Sequence, residues 1–283
     1  MLGLREPYVI GCRLFEILLG EFLFHRASHR YLSEEESKVL CHYYSPWFKS
    51  QRQLYHKHLF AQRLKGLIKC IVTSKQACVL DCGCGLGSES IVCALLGAKV
   101  TAIDLNKERM NIAKKRLRYY EDEFRTEFPL TFNVKNILKC QFSQQFDVAY
   151  AKEFISHVHP VTTFLQAVRK SIKKGGVLIV TDANPINPYT NLKAWLTYRK
   201  AHFKVYELGP NDKVLVARER LVAPYQLKRF LEEFSFKIES IKYYGFLPYI
   251  PFLCNIDLLK TWEGRMSPLH VLGAIYDVTA VKL

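Results

Sequence analysis

The sequence lacks several features that would place a chain at once. Its nine cysteines (12, 41, 70, 78, 82, 84, 93, 140 and 254) form no Cys-x-x-Cys pair, and their odd number cannot close a full disulfide framework. Cys82 and Cys84 flank Gly83, but no matching Cys or His pair stands beside them. They read as small residues in a cramped turn rather than as zinc ligands. The pattern fits reduced cytosolic thiols. No apolar run reaches the ~20 residues that a membrane span needs. Arg13, Glu16 and Glu21 interrupt the stretch from Tyr8 to Phe24, and together with Arg5 they speak against a signal peptide. Internal repeats and low-complexity segments are absent, and the positive charge is dispersed rather than blocked.

Acidic side chains are also in short supply. Asp and Glu number 26 against 41 Lys and Arg, leaving a net charge of +15. Such a balance favours an anionic partner: nucleic acid, a phosphorylated substrate or a membrane surface. What the chain does have is apolar content, 49% over 283 residues, ample for one large α/β domain with elaborations.

That domain is organised around Val79-Leu80-Asp81-Cys82-Gly83-Cys84-Gly85-Leu86-Gly87-Ser88. Cys78 to Asp81 reads as a buried strand, the alternate glycines as a turn too tight for side chains, and Ser88 onward as a helix. Such a turn lets backbone N–H groups approach a ligand at the positive end of a helix dipole. A dinucleotide fingerprint would want glycine where Ser88 stands. The next strand, Val100 to Asp104, ends in a carboxylate 23 positions after Asp81, placed to accept both hydroxyls of a ribose.

With these residues the chain resembles the class I S-adenosylmethionine (SAM)-dependent methyltransferases, of the methyltransferase type 11/25-like variety. The resemblance is good over residues 76 to 182 and looser elsewhere. It implies a Rossmann-like, seven-stranded, mostly parallel sheet with an antiparallel last strand. Residues 1–74 would be an N-terminal helical extension or lid, and residues 75–283 the SAM-binding domain, with 183–223 as an acceptor-binding cap insert.

The remaining pattern agrees. Strands at 77–81, 99–104, 129–134, 146–150 and 176–182 alternate with helices at 87–96, 107–120 and 161–172, the pattern of a parallel sheet whose ligands sit at the carboxyl ends of its strands. Before them, an amphipathic helix at 8–26 either docks on the core or lies on a membrane. Ser33 to Glu36 is a capping box opening a second helix, and Pro46 suits the first turn of a third. Tyr43, Tyr44, Trp47 and Tyr55 on these helices are candidates to line the site. The insert from Ala183 to Ala223 reads as irregular and rich in aromatic and basic residues, among them Tyr189, Trp195, Tyr198, Arg199, Lys200, His202 and Lys204. Pro224 then opens a helix, a strand follows at 237–244, and the run from Ala274 to Val281 returns antiparallel. Leu247 to Leu272 between them is long and apolar.

The resemblance also distributes roles. Asp81, Gly83, Cys84, Gly85, Gly87, Asp104, Leu105, Asn136, Ile137 and Ala151 would hold SAM and its product, S-adenosylhomocysteine (SAH). Asp81 would anchor the turn or the methionine amino group, Asp104 the ribose, and Asn136 would stand where the family usually has Asp near the adenine amine. The stretch Phe146 to Val158 resembles the family's passage from strand four to the floor of the site. His157 and His159 are the best general-base candidates there, because imidazole titrates near neutral pH. A structural role for His157 stands beside that reading. Glu153 and Asp182 are further candidates.

Methyl transfer from a sulfonium needs alignment more than activation. No metal site is expected, and activity should survive exhaustive chelation. The sequence therefore points to a cytoplasmic transferase moving a methyl group to O, N or C of a small-molecule or lipid- or glycan-linked acceptor. Peripheral contact with an anionic membrane, through the stretches 8–24 and 247–259, is a further expectation. The alternatives are an RNA methyltransferase, which would ordinarily bring a concentrated basic stripe, and a non-catalytic SAM-binding partner subunit.

Overall fold

A computed structural model describes residues 6–28, 30–48, 50–198, 203–209, 212–217, 220–245, 261 and 267–283. The expectations placed on Arg199, Lys200, His202 and the 247–259 stretch lie outside the described residues.

Three helices come first: α1 (Pro7–Ser28), α2 (Glu34–Tyr43) and α3 (Ser50–Val72). The capping box at the head of α2 is formed: the Glu36 N–H donates to Ser33 Oγ at 3.2 Å, and the Ser33 N–H donates to Glu36 Oε2 at 2.7 Å. Pro46 lies in a short 3-10 turn, Ser45–Phe48, and the third helix opens at Ser50 instead. Of the two readings of the first helix, docking is the one observed. Phe15, Leu18 and Phe22 are fully buried, and Gly11 meets α3 so closely that a Cβ there would lie 2.8 Å from Ala61 Cα.

The alternation then follows as β1 (Cys78–Cys82), α4 (Ser88–Leu95), β2 (Lys99–Asp104), α5 (Lys107–Phe124), β3 (Leu130–Val134), β4 (Phe146–Lys152), α6 (Val161–Ser171) and β5 (Ile172–Ala183). The insert is not irregular. It holds α7 (Pro188–Tyr198) and a hairpin of β6 (Phe203–Gly209) and β7 (Asp212–Ala217). The chain closes with α8 (Pro224–Glu233), β8 (Phe236–Tyr244) and β9 (Ile275–Lys282).

The main sheet runs β3-β2-β1-β4-β5-β9-β8. β1 to β5 pair parallel, and β9 lies antiparallel between β5 and β8. One face, with Val79, Val100, Tyr150 and Ile179, shares a core with α1, α3, α4 and α5. The other, with Leu80, Cys82, Val180 and Tyr276, is covered by α6 and α8. The N-terminal helices are thus built into the same core as the sheet. No helix among the described residues is long and apolar enough to cross a membrane.

One buried ion pair joins α1 to the rest. Arg116 of α5 donates through Nε to Glu21 Oε1 at 2.5 Å and through Nη2 to Glu21 Oε2 at 2.7 Å, and both side chains are fully buried. Its Nη1 reaches the Leu86 carbonyl of the glycine turn and, at 3.0 Å, Ser88 Oγ. The Tyr120 hydroxyl donates to Glu21 Oε2 at 2.8 Å. Burial alone would push the Glu21 carboxyl up, but the charge and hydrogen bonds of Arg116 outweigh it and hold the group below its usual range.

Removing one partner of a buried pair leaves the other charge uncompensated, a loss of about 3–5 kcal/mol. Glu16, whose side chain is 58% exposed, pairs with Lys57 at the surface, where such a contact contributes about 0–1 kcal/mol. Urea unfolding of Glu21→Ala should therefore show a loss several times that of Glu16→Ala. Equal losses would mean that the pair does not carry the contact between α1 and the turn.

Candidate active site

The carboxyl ends of β1, β2 and β4 converge on one cavity. The turn after β1 is set by backbone bonds: the N–H groups of Gly83 and Cys84 both donate to the Ile103 carbonyl, at 2.8 and 3.1 Å. Gly83 has φ 75°, and a Cβ there would lie 2.2 Å from the Phe154 ring. At Gly87, φ 78°, a Cβ would press on Phe132 at 2.8 Å. Side chains are excluded at both positions by conformation and by space. Gly85 instead faces the open cavity, with nothing within 4 Å of a Cβ.

Asp104 ties the turn to β2. Its Oδ2 accepts from the Gly85 N–H at 2.9 Å and its Oδ1 from the Asn106 N–H at 2.8 Å. Each oxygen keeps a lone pair for a ribose hydroxyl. Asp81 is buried and accepts from Ser90 Oγ at 2.5 Å. Burial raises its carboxyl to about 7.

The cavity, about 230 Å³, is lined by Asp81, Gly83, Cys84, Gly85, Asp104 and Leu105 together with Tyr43, Tyr44, Glu89, Lys152, Glu153, His157, Tyr206 and Val216. A smaller, more apolar space of about 50 Å³ adjoins it, between Leu105, Asn136, Ile137, Val158, His159 and Val214. Gly83, Asp104, Leu105, Phe154, His157 and Val216 border both. A carboxylate at a strand tip, an open glycine and an apolar slot beside an amide match the ribose, backbone-hugging and adenine parts of SAM. Asn136 Oδ1 already accepts from the Leu138 N–H at 3.0 Å, with one lone pair left for an exocyclic amine.

Two expected cofactor residues sit elsewhere. Gly87 caps α4 and packs behind the turn. The Ala151 side chain is buried in the core of the α6 and α8 face. The buried thiols of Cys82, Cys84 and Cys93 are pushed well up by burial, as expected of inert core groups. Among the described residues, no group of three His, Cys, Asp or Glu side chains is placed to hold a metal ion.

The base candidates separate clearly. His157 Nδ1 lies 3.2 Å from the Ala217 carbonyl, an oxygen that can only accept. Nδ1 therefore carries the proton in the neutral ring, and Nε2 is the nitrogen left with a lone pair. His159 borders only the smaller space, with Nδ1 3.5 Å from Arg220 and its ring 5.2 Å from that of Phe203. Glu153 is half-exposed and paired with Arg63 at 2.6 Å; the guanidinium charge holds its carboxyl at about 2, a weak base. Asp182 is occupied in holding the loop after β4. It accepts from the Ser156 N–H and Oγ, both at 3.0 Å, and from the Ala183 N–H at 2.7 Å.

Of the aromatic candidates, Tyr43 and Tyr44 line the cavity. The Tyr44 hydroxyl bonds Ser88 Oγ at 2.6 Å, and burial raises it to about 12. Trp47 packs among Phe15, Tyr44 and Phe60, away from the site. Tyr55 lies near Gly245. Residues not singled out from the sequence include Glu89, Asn106, Arg109, Lys152, Tyr206 and Val216. Lys152 pairs with Glu89 across the cavity, and this pairing outweighs burial to raise the ammonium. Their separation of 63 positions gives no local signal, although Glu89 stands inside the motif itself.

A parallel sheet whose first strand ends in this turn, with an acid at the tip of the second, is the arrangement that SAM-dependent methyltransferases share. Residues 80–180 match the family described as a methyltransferase domain. The chain is 33% identical over 120 residues to a ubiquinone biosynthesis O-methyltransferase of Proteus mirabilis, a match covering 41% of this chain and 44% of that one. A namesake from Actinobacillus pleuropneumoniae is 28% identical over 173 residues, covering 60% and 70%. The first match thus spans less than half of its relative. A SAM-dependent methyltransferase from Archaeoglobus fulgidus shares the fold, with a TM-score of 0.53 at 16% identity over 78% of this chain and 92% of that one.

Two measurements test the cofactor residues. Asp104→Ala should weaken SAH binding by about 2–3 kcal/mol in calorimetry, through lost charge-assisted hydrogen bonds; unchanged affinity would remove Asp104 from the site. The second is a pH series. With its carboxyl raised to about 7, Asp81 is neutral below that pH and attracts the ligand's ammonium only above it. SAH affinity should climb roughly tenfold or more from about pH 5.5 to 7.5, and stay flat and weak in Asp81→Asn. A parallel rise in that variant would assign the titration to another group.

Proposed function

We propose that the chain transfers the methyl group of SAM to a hydroxyl of a small-molecule or lipid-linked acceptor. The observation that carries this reading is His157, fixed with Nε2 as its basic nitrogen at the border of both cavities. The printed names of the sequence relatives, O-methyltransferases of ubiquinone biosynthesis, support an oxygen acceptor of small size.

SAM, when bound, supplies a methyl group already activated on a sulfonium. The chain's own contribution is placement and one proton. Asp104 and the Gly85 N–H hold the ribose side, and Asn136 and Ile137 the adenine side. His157 Nε2 takes the acceptor's hydroxyl proton as the oxygen gains the methyl carbon and the sulfur keeps the bonding pair. The ring keeps its Nδ1–H bond to the Ala217 carbonyl through the step, with the Glu153 carboxylate in the same cavity wall. Residues 1–74 serve as a lid on the acceptor side, a role supported by Tyr43 and Tyr44 in the cavity wall. The 183–223 insert serves as the acceptor-binding cap, supported by Tyr206 and Val216 in the same wall.

The test is SAH release with phenols, isoprenoid quinols and lipid-linked sugars as acceptors. General-base catalysis contributes about 10²–10⁴-fold, so His157→Gln should lose that factor in kcat while keeping SAM affinity. Undiminished turnover in the variant would leave His157 a structural role. A wild-type chain that fails to bind SAM would overturn the reading as a whole.

A further inference from the structure

Scattered apolar side chains on a protein surface are ordinary; the arrangement on α7 is not. In this helix of 11 residues, Tyr189 is 66% exposed, and Leu192, Trp195 and Leu196 are each 55% exposed. At 100° per residue, Tyr189, Leu192 and Leu196 fall within about 60° of one another, and Trp195 within about 120°. Next to them in the chain, Phe203 and Val205 of β6 are also exposed. The helix is not a loose end. Asn184 Nδ2 donates to the Val271 and Gly273 carbonyls at 2.8 and 2.7 Å, and Asn187 Nδ2 to the Leu272 carbonyl at 2.6 Å. These bonds fasten the segment leading into α7 to the segment leading into β9.

We propose that α7 seats this protein on the surface of an anionic lipid bilayer, with Tyr189, Leu192, Trp195 and Leu196 entering the headgroup boundary. The charge pattern selects this occupant. From Ala183 to Tyr206 the sequence has Lys193, Arg199, Lys200 and Lys204 and not one Asp or Glu, within a chain of net charge +15. A second copy docked on the same face would bring like charge against like charge. An anionic membrane supplies the opposite sign, and Trp and Tyr settle at its interface. The β6–β7 hairpin that follows α7 places Tyr206 and Val216 in the cavity wall, so the seated helix brings the site beside the lipid. That last consequence rests on the methyl-transfer reading; the docking itself does not.

The experiment uses the full chain loaded with SAH and sedimented with vesicles of phosphatidylcholine alone or with about 30% phosphatidylglycerol, at roughly 50 and 500 mM salt. The wild type is expected to pellet with the anionic vesicles at low salt and to be released at high salt. Leu192→Glu with Leu196→Glu should lose tenfold or more of this partitioning, with unchanged melting temperature and SAH affinity. Lys193→Glu, which leaves the apolar stripe intact, should weaken it as well. A wild type indifferent to both vesicle types would overturn the proposal. So would a double variant that pellets like the wild type, or a wild-type dimer in light scattering that the double variant abolishes. Vesicle binding without SAM binding would count against the enzyme reading alone.

Discussion

The bidentate pair of Arg116 and Glu21 is the contact on which the rest of the arrangement depends. A guanidinium with no solvent exposure is tolerable only if its donors are matched, and here they are matched by three separate parts of the chain: α1 through Glu21, the glycine turn through the Leu86 carbonyl, and the start of α4 through Ser88. Its face is also covered, with the Phe22 ring 5.2 Å and the Tyr44 ring 5.9 Å from the guanidinium carbon. The cofactor turn is therefore held from behind by a helix that belongs, in sequence, to an extension outside the matched family span.

The cavity shows the same economy with charge. Two ion pairs close on themselves there, Lys152 with Glu89 and Arg63 with Glu153, while Arg109, Asp81 and Asp104 also line the cavity. Asp81 departs from this pattern. Ser90 donates to it and burial works against its ionisation, offset only in part by the charge of Lys152, so a ligand's positive charge beside it would favour the ionised form.

Much of this was legible in the sequence because it is local. The glycine turn, the acids at strand tips and the alternation of strands and helices are each written within a few residues, and the observed elements follow them closely. Ser33 with Glu36 marked the start of α2 for the same reason. What local reading missed is what distance decides. Glu21 and Arg116 stand 95 positions apart, and nothing in either neighbourhood announces the other. The insert read as irregular, and nothing near Asn184 or Asn187 in the sequence announces a distant partner. In the fold those asparagines bond to residues 271–273, which lets a helix and a hairpin form between them. Tyr206 and Val216 reach the cavity only through that hairpin. Apolar periodicity identified α1 as a helix but could not choose its partner; Gly11 against Ala61 did.

The hairpin also has a say over the proton. Ala217 both receives the Nδ1 bond of His157 and donates its own N–H to the His157 carbonyl at 2.9 Å, while the Arg220 N–H donates to the Ser156 carbonyl at 2.8 Å. The element that roofs the cavity is thus the one that selects the tautomer of the imidazole beneath it. Cavity wall and ring are tied by one short ladder of bonds, so a substitution in the strand that borders the cavity would be felt at Nδ1 of the imidazole.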